Sequence, residues 1–145
     1  MMRKLETRKK TRLNDDGFTL MELLVVLVIL GLLAGLAGPR VLNYLASAKS
    51  DTAAVQIARL SSAVDLFLLD VGRPPNGEEG LQALVKQPAG LGRWNGPYLA
   101  KAALPADPWG NAYRYRLEEG GRYVIVSLGA DNAEGGEDEN RDIAN

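Results

Sequence analysis

The sequence predicts an α+β fold in which one long N-terminal helix packs on a small antiparallel β-sheet. Three observations predict it. Residues 18–38 form an apolar run, residues 57–71 carry apolar side chains at helical spacing, and residues 113–128 contain two short segments rich in aromatic and β-branched residues. The chain has 145 residues, which is enough for one core but not for two ordinary domains.

The composition excludes several classes of function. The chain has no cysteine and no histidine, which removes disulfides, thiol nucleophiles, imidazole acid–base chemistry and the usual zinc ligands. The net charge is −1, so there is no basic excess of the kind that holds nucleic acid through its phosphates. We therefore predict a protein that is not an enzyme, has no catalytic residues and binds no nucleic acid.

Residues 1–17 form a short basic leader, and the apolar run after it is long enough to cross a membrane. As a helix, residues 18–38 would extend about 31 Å, at about 1.5 Å per residue, which matches the hydrocarbon core of a bilayer. A buried helix of a soluble protein is the alternative, but so short a chain could hardly cover this run on every side. Six leader cations precede the span and only Arg40 and Lys49 follow closely, which predicts a single pass with the N-terminus in the cytoplasm.

Residues 39–73 are predicted to continue the same helix as an amphipathic half. Apolar side chains recur at steps of three and four residues and mark one face: Ile57, Leu60, Val64, Phe67 and Val71. Gly72 and the pair Pro74–Pro75 end the pattern, because proline has no amide hydrogen and disfavours helix in the residue before it. We predict one helix from about Phe18 to Val71, much longer than the globular average.

Residues 74–145 are predicted to form a small exported domain. A short helix is expected over Gly77–Val85, with Asn76 as its N-cap. A turn and then a β-hairpin should follow, in this order: Asp107–Gly110, Tyr113–Leu117 and Arg122–Leu128.

Glu22 is the one ionisable side chain inside the apolar run. A carboxylate there costs on the order of 2.5–3.5 kcal/mol unless it is neutralised. Arg40 lies 18 positions away (residue 40 against residue 22), or about 27 Å along a helix, which is too far to pair with it. Cleavage between Gly17 and Phe18 would create an amino terminus that a neighbouring subunit could offer to this carboxylate. The alternative is a glutamate that snorkels to the membrane interface.

The span also contains a short segment suited to close or irregular packing. Gly31 and Gly35 form a G-x-x-x-G pattern, which permits close approach of helices but also occurs by chance. Pro39 cannot bond to the carbonyl of Gly35. We predict a locally loosened helix here when copies of the chain pack together.

The C-terminal residues from Asp131 onward are strongly acidic. Six acidic residues and one cation, Arg141, lie within twelve residues. The acidic residues are Asp131, Glu134, Glu137, Asp138, Glu139 and Asp142. A solvated, flexible tail is one interpretation. The other is a site for a hard cation, since calcium takes six to eight oxygen ligands and two glycines allow a loop to wrap around it. The spacing does not match an EF-hand.

The leader junction and several later segments resemble a known family. Gly17-Phe18-Thr19-Leu20-Met21-Glu22 resembles the processing signature of type IV pilins and type II secretion pseudopilins. The remainder resembles the major pseudopilins of type II secretion in segments that include Glu79–Val85, Asp107–Asn111, Ser127–Asp131 and Asp142–Ile143. The resemblance implies a pilin-like fold, cleavage by a prepilin peptidase after Gly17, N-methylation of Phe18, and roles in assembly for Glu22 and Pro39.

The resemblance also implies a calcium loop over residues 128–145. By position, the expected ligands are the carbonyl of Leu128 and the side chains of Asp131 and Asp142. Arg141 stands where some members have an acid, so Glu139 or a loop carbonyl is expected to substitute.

The function implied is structural. The protein is expected to be the major subunit of a helical pseudopilus that drives folded proteins across the outer membrane. Its expected partners are further copies of itself, minor pseudopilins, the inner-membrane assembly platform and the prepilin peptidase. It is expected to sit in the inner membrane, with its C-terminal domain in the periplasm, and to enter a periplasmic filament. The alternatives are a type IV pilus subunit and, less favoured, a membrane-anchored hydrolase.

Overall fold

A computed structural model describes residues 17–145, except for the side chains of Pro39 and Asn43. All of the predicted leader except Gly17 therefore lies outside the described residues. The chain falls into two units, one ending at Pro39 and the other running from Arg40 to Asn145. The elements are one helix, α1, three strands and three short 3₁₀ turns: α1 Leu20–Val71, β1 Arg114–Leu117, β2 Tyr123–Ser127, β3 Ile143–Ala144, and the turns Gly80–Leu84, Glu119–Gly121 and Asp138–Asn140.

Helix α1 confirms the predicted long helix and shows why it begins and ends where it does. It starts at Leu20 rather than Phe18, because the Thr19 hydroxyl accepts a hydrogen bond from the Glu22 amide at 3.2 Å and so caps the first turn. At the other end, Gly72 has φ +86°, a conformation that favours glycine. Its amide still donates to the Leu68 carbonyl at 2.8 Å, and the helix stops after Val71, as predicted.

The core of the second unit is formed by the predicted apolar face of α1. Ile57, Leu60, Val64 and Phe67 are each at most 1% exposed. They pack in one cluster with Ile125 of β2 and with side chains from the 80–84 turn and the segment before β1. The buried stripe therefore joins the helix to the sheet, which is the layer arrangement that an amphipathic helix and a one-sided sheet require.

The sheet has three antiparallel strands in the order β1-β2-β3. The predicted hairpin is confirmed, with Tyr115 opposite Ile125, although Tyr113 lies just before β1. The two-residue β3 was not predicted. It pairs Ile143 with Ser127, and the Asn145 side chain accepts a hydrogen bond from the Ile125 amide at 2.8 Å. Within the described chain β1 pairs only with β2, so its other edge is open.

The short helix predicted over Gly77–Val85 is present in a shorter form. The structure has a 3₁₀ turn at Gly80–Leu84, because Gly80 has φ +52°, which an α-helix cannot include. The predicted cap is present one turn earlier: the Glu79 amide donates to the Asn76 side chain at 2.8 Å, and Glu79 accepts in return from the Asn76 amide. Glu79 also forms a two-pronged ion pair with Arg73, which lowers the pKa of the Glu79 carboxyl.

Four tyrosine hydroxyls connect the domain to α1 or to the segment just after it. The four tyrosine rings lie in the core or pack against it. Each hydroxyl donates a hydrogen bond to an acceptor in or near the helix. The pairs are Tyr98 with Asp70, Tyr113 with Gln56, Tyr115 with the Pro75 carbonyl, and Tyr123 with Asp65 and the Ser61 carbonyl. Each tyrosine thus contributes apolar burial and at least one directional bond.

These tyrosines predict a loss of stability at high pH. The pKa values of Tyr113, Tyr115 and Tyr123 are raised to about 12, mainly by burial, and the neighbouring Asp107 and Asp65 carboxylates contribute to the rise at Tyr113 and Tyr123. A tyrosine in the unfolded chain titrates near 10. The protonated hydroxyls therefore stabilise the fold fully below about pH 10, and we expect this contribution to fade between about pH 10 and 12.

Thermal melts followed by circular dichroism across this pH range measure the effect. Tyr123→Phe should make the decline shallower, because it removes one of the three hydroxyls. Tyr44→Phe, at a tyrosine that is 80% exposed, is the matched control and should leave the decline as it is. A melting temperature that is constant from pH 9 to about 12 would contradict the prediction.

Candidate functional site

The predicted cleavage point lies just outside α1. Gly17 and Phe18 precede the helix, and Phe18 is 76% exposed. Because the Thr19 hydroxyl caps the helix, the Gly17–Phe18 peptide bond is not part of the helical hydrogen-bond ladder. A protease needs an accessible peptide bond outside regular structure, and this junction is exposed and precedes the helix. The T-x-x-E pattern from Thr19 to Glu22, typical of a helix start, could have located this boundary from the sequence.

Glu22 lies in the first turn of α1, in the unit that ends at Pro39. Among residues 17–145, none forms a hydrogen bond or an ion pair with its carboxylate. Large apolar side chains follow it along the helix, and their exposure ranges from 45% at Val26 to 76% at Leu36. The helix contains a stretch long and apolar enough to cross a membrane, and none of that stretch is buried. This surface is suited to lipid or to the helices of other chains.

Helix α1 of the single chain includes Gly35 and Pro39 and continues past them to Val71. The predicted loosening concerned packed copies of the chain, and it stays a prediction.

The acidic segment forms a closed loop between β2 and β3. Two hydrogen bonds cross it: the Ala130 amide donates to the Glu139 carbonyl at 2.8 Å, and the Gly135 amide donates to Oδ2 of Asp142 at 3.0 Å. Gly136 lies so close to Asn140 that an added Cβ would meet its carbonyl at 2.5 Å. This segment is therefore a folded loop with internal contacts rather than a featureless tail.

The four predicted metal ligands lie in or beside this loop, but their acidic side chains do not gather in one place. Leu128 is buried directly after β2, whereas Asp131 is exposed and accepts from the Ala133 amide at 3.1 Å. Glu139 is half-buried and uses its carbonyl within the loop. In the part of the chain that the structure describes, no three acidic side chains are close enough to share a metal ion.

One atom in the loop does point to an additional partner. Oδ1 of Asp142 is buried and has no hydrogen-bond partner, while Oδ2 of the same carboxylate is bonded to Gly135. A buried carboxylate oxygen without a donor is unfavourable, because it has lost its water and gained nothing in return. A cation bound beside Asp142 would satisfy it.

A second polar cluster lies beneath the start of the loop and was not predicted as functional. Asp107 is 5% exposed, and its Oδ1 accepts from the amides of Trp109 and Asn111 at 3.1 and 2.7 Å. Its Oδ2 accepts from the hydroxyl of Ser127, which is fully buried. Sequence analysis identified Asp107–Gly110 as a turn, and the turn is real; the link to Ser127 spans twenty positions and had no local signal.

Comparison with known proteins gives a consistent result across the chain. Residues 40–145 match the family model described as type II secretion system protein G, and residues 12–38 match the prokaryotic N-terminal methylation motif. The chain is 45% identical over 140 residues to type II secretion system core protein G of Pseudomonas aeruginosa, covering 92% of this chain and 96% of that one. It is 42% identical over 142 residues to the protein of the same name from Vibrio cholerae, covering 94% of each.

A solved structure agrees with the sequence comparisons. The crystal structure of the major pseudopilin from the type 2 secretion system of enterohaemorrhagic Escherichia coli has a TM-score of 0.55 and 32% sequence identity to this chain. It covers 68% of this chain and 87% of that one.

Proposed function

From its place in the protein G family of type II secretion systems, to which this chain belongs, we propose that it is the major structural subunit of a pseudopilus. The observation that carries the proposal is that both parts of the chain match: the methylation motif covers the apolar helix start and the protein G model covers the domain. A type IV pilus subunit is less well supported, because the family model and the relatives are those of type II secretion. A structural subunit needs no catalytic centre.

In this proposal the two units of the chain have different roles. The first anchors the subunit in the inner membrane until assembly and then packs among the helices of other copies, because its apolar side chains are exposed and need lipid or protein around them. The second is held on the periplasmic side and forms the body of the filament. The leader cations keep the N-terminus in the cytoplasm, where a prepilin peptidase reaches the Gly17–Phe18 bond.

Glu22 is the assembly residue of the first unit. Its carboxylate has no partner within residues 17–145, and we propose that another molecule supplies one. The new amino terminus of a neighbouring Phe18 is the cation that every copy carries after cleavage. Pairing the two charges offsets the free-energy cost of placing each of them in the apolar part of the membrane. It also fixes how far one subunit is displaced along the filament from the next. Pro39 is proposed to let the helix adjust in that packed core.

We propose that the loop of residues 128–145 binds calcium. The orphaned Oδ1 of Asp142 supports this, as does the absence of disulfides in a small exported domain. The Leu128 carbonyl and the side chains of Asp131 and Asp142 would hold the ion, with Glu139 or a further loop carbonyl completing the set. Because no three acidic side chains among the described residues converge, backbone oxygens must supply much of the coordination, as calcium permits. The bound ion supplies positive charge and joins the two arms of the loop.

The proposed partners follow from the same family. The subunit is expected to polymerise with copies of itself, to meet minor pseudopilins in the filament, and to be added by an inner-membrane assembly platform. The acidic, disulfide-free domain gives no reason to expect a nucleic-acid partner.

Mass spectrometry of the protein purified from a host with a prepilin peptidase tests the processing step. We expect the mature chain to begin at Phe18 and to carry the mass of one added methyl group. Gly17→Val, which places a branched side chain beside the scissile bond, should keep the complete leader and form no filaments. A filament whose subunits still carry residues 1–17 would sink the proposal.

A further inference from the structure

Asp107 is a buried carboxylate outside the acidic loop, and its position needs an explanation. It is 5% exposed, and the part of the chain that the structure describes holds no ion pair to it. Burying a carboxylate is costly, and the three hydrogen bonds that it accepts offset that cost. A β-turn can form around many residues, so the turn alone does not require an acid that reaches back to β2.

Two chains of hydrogen bonds lead from Asp107 to the same residue, Gly129. In the first, Oδ2 accepts from the Ser127 hydroxyl at 2.7 Å, and that hydroxyl oxygen accepts from the Gly129 amide at 3.4 Å. In the second, Oδ1 accepts from the Asn111 amide, and the Asn111 side chain donates to the Gly129 carbonyl at 3.1 Å. Both backbone polar groups of Gly129 are therefore held by partners of one buried carboxylate.

Gly129 is the point where the outgoing arm of the loop, which leaves β2, meets the returning arm, which leads into β3. It has φ +68°, and an added Cβ would lie 2.6 Å from the Glu139 carbonyl. The next amide, that of Ala130, donates to the same carbonyl at 2.8 Å. Gly129 also lies between Leu128 and Asp131, two of the proposed calcium ligands. Any shift of Gly129 would change the distance between these ligands and the contact with the returning arm.

We propose that Asp107 is a positioning residue for the calcium loop. Through Ser127 and Asn111 it fixes the backbone of Gly129, and so it sets the Leu128 carbonyl and the Asp131 side chain before the ion arrives. Groups that orient metal ligands without touching the metal strongly affect affinity, because a loose ligand must be ordered at the moment of binding. The proposal rests on the calcium site proposed above.

Calcium titration of the full-length chain in detergent, followed by calorimetry, tests the proposal. Asp107→Asn keeps the size and the two amide bonds but presents an amide group to Ser127 in place of an acceptor. We expect a 10- to 100-fold loss of calcium affinity, the usual range when a partner of a metal ligand is removed. Asn111→Ala cuts only the second chain of bonds and leaves Asp107 buried, so it should fold even if the first variant does not.

A variant that weakens the fold elsewhere separates positioning from general stability. Leu84→Ala removes a fully buried side chain from the 80–84 turn and should lower the melting temperature equally with calcium and with EDTA, without changing calcium affinity. Amide exchange at Gly129 and Ala130, measured in EDTA, should be faster in Asp107→Asn and unchanged in Leu84→Ala.

The outcomes are distinguishable. Calcium affinity in Asp107→Asn and Asn111→Ala equal to that of the wild type would overturn the positioning role and leave the calcium site standing. A wild-type chain that binds no calcium would overturn the calcium site itself, and this inference with it.

Discussion

A Glu22→Ala chain is expected to insert into the membrane normally and to form no filament. Removing the carboxylate relieves an insertion cost of about 2.5–3.5 kcal/mol, so anchoring should not suffer. The chain then lacks the group that pairs with the amino terminus of a neighbour, and that terminus is left unpaired in an apolar environment. Filament yield after co-expression with the assembly machinery, measured in the sheared and pelleted fraction, is the readout.

Two further variants make this result specific. Glu22→Gln keeps the shape and hydrogen-bonding capacity but not the charge, so it should fail nearly as completely if an ion pair guides assembly. Met21→Ala changes the neighbouring side chain, which is 76% exposed, and should assemble at close to the normal yield. Normal filament yield from Glu22→Ala would contradict the proposed pairing. Normal filament yield from Glu22→Gln alone would show that hydrogen bonding without a charge is enough for assembly.

Removal of calcium is expected to destabilise the domain by about 3 kcal/mol. A ligand present at 100 times its dissociation constant stabilises the folded state by about 2.7 kcal/mol. For a domain of about 100 residues this corresponds to a fall of roughly 10–20 °C in melting temperature when EDTA is added. Filament yield should fall too, because a loosened loop changes the surface that neighbouring copies meet.

Two variants serve as a matched pair for this experiment. Each removes one negative charge, one inside the loop and one outside it. Asp142→Asn can still accept from the Gly135 amide, but it presents a neutral group where Oδ1 is orphaned, so EDTA should no longer change its melting temperature. Glu78→Gln removes an equal charge from an exposed position outside the loop and should keep the full EDTA response. Identical melting curves of the wild type with calcium and with EDTA would count against the site.

Much of the fold could be predicted because local patterns determine it. The helical spacing from Ile57 to Val71 directly gives the buried face, and the alternation around Tyr115 with a turn after it gives the hairpin. The proline pair after Arg73 and the glycine before it give the end of α1. Each of these signals lies within a few residues of the structure that it determines.

The features that were missed depend on contacts between distant positions. The pairing of β3 rests on two residues and on the Asn145 side chain bonded twenty positions away to Ile125, which has no signature in a short window. The link from Asp107 to Ser127 is of the same kind. The short helix begins later than predicted because a left-handed glycine, Gly80, is indistinguishable in sequence from a tolerated helical one.

The candidate site was predicted as residue types rather than as geometry. Glu22 could be identified from the sequence, because an acid in an apolar span is conspicuous by itself. The acidic loop could be identified only as a charge run, since the sequence does not say which oxygen remains unsatisfied after the loop closes. Oδ1 of Asp142 is visible as a candidate ligand only once its neighbours are placed.

The open edge of the sheet has a consequence for how copies of this protein associate. Within residues 17–145 no strand pairs with the outer side of β1, and Arg114 and Arg116 of that strand are exposed. Aligning two such edges would bring like charges together, which disfavours aggregation through strand addition. A subunit produced in many copies and concentrated in one membrane would thus be guarded against amyloid-like stacking, and its ordered growth would be left to the helix.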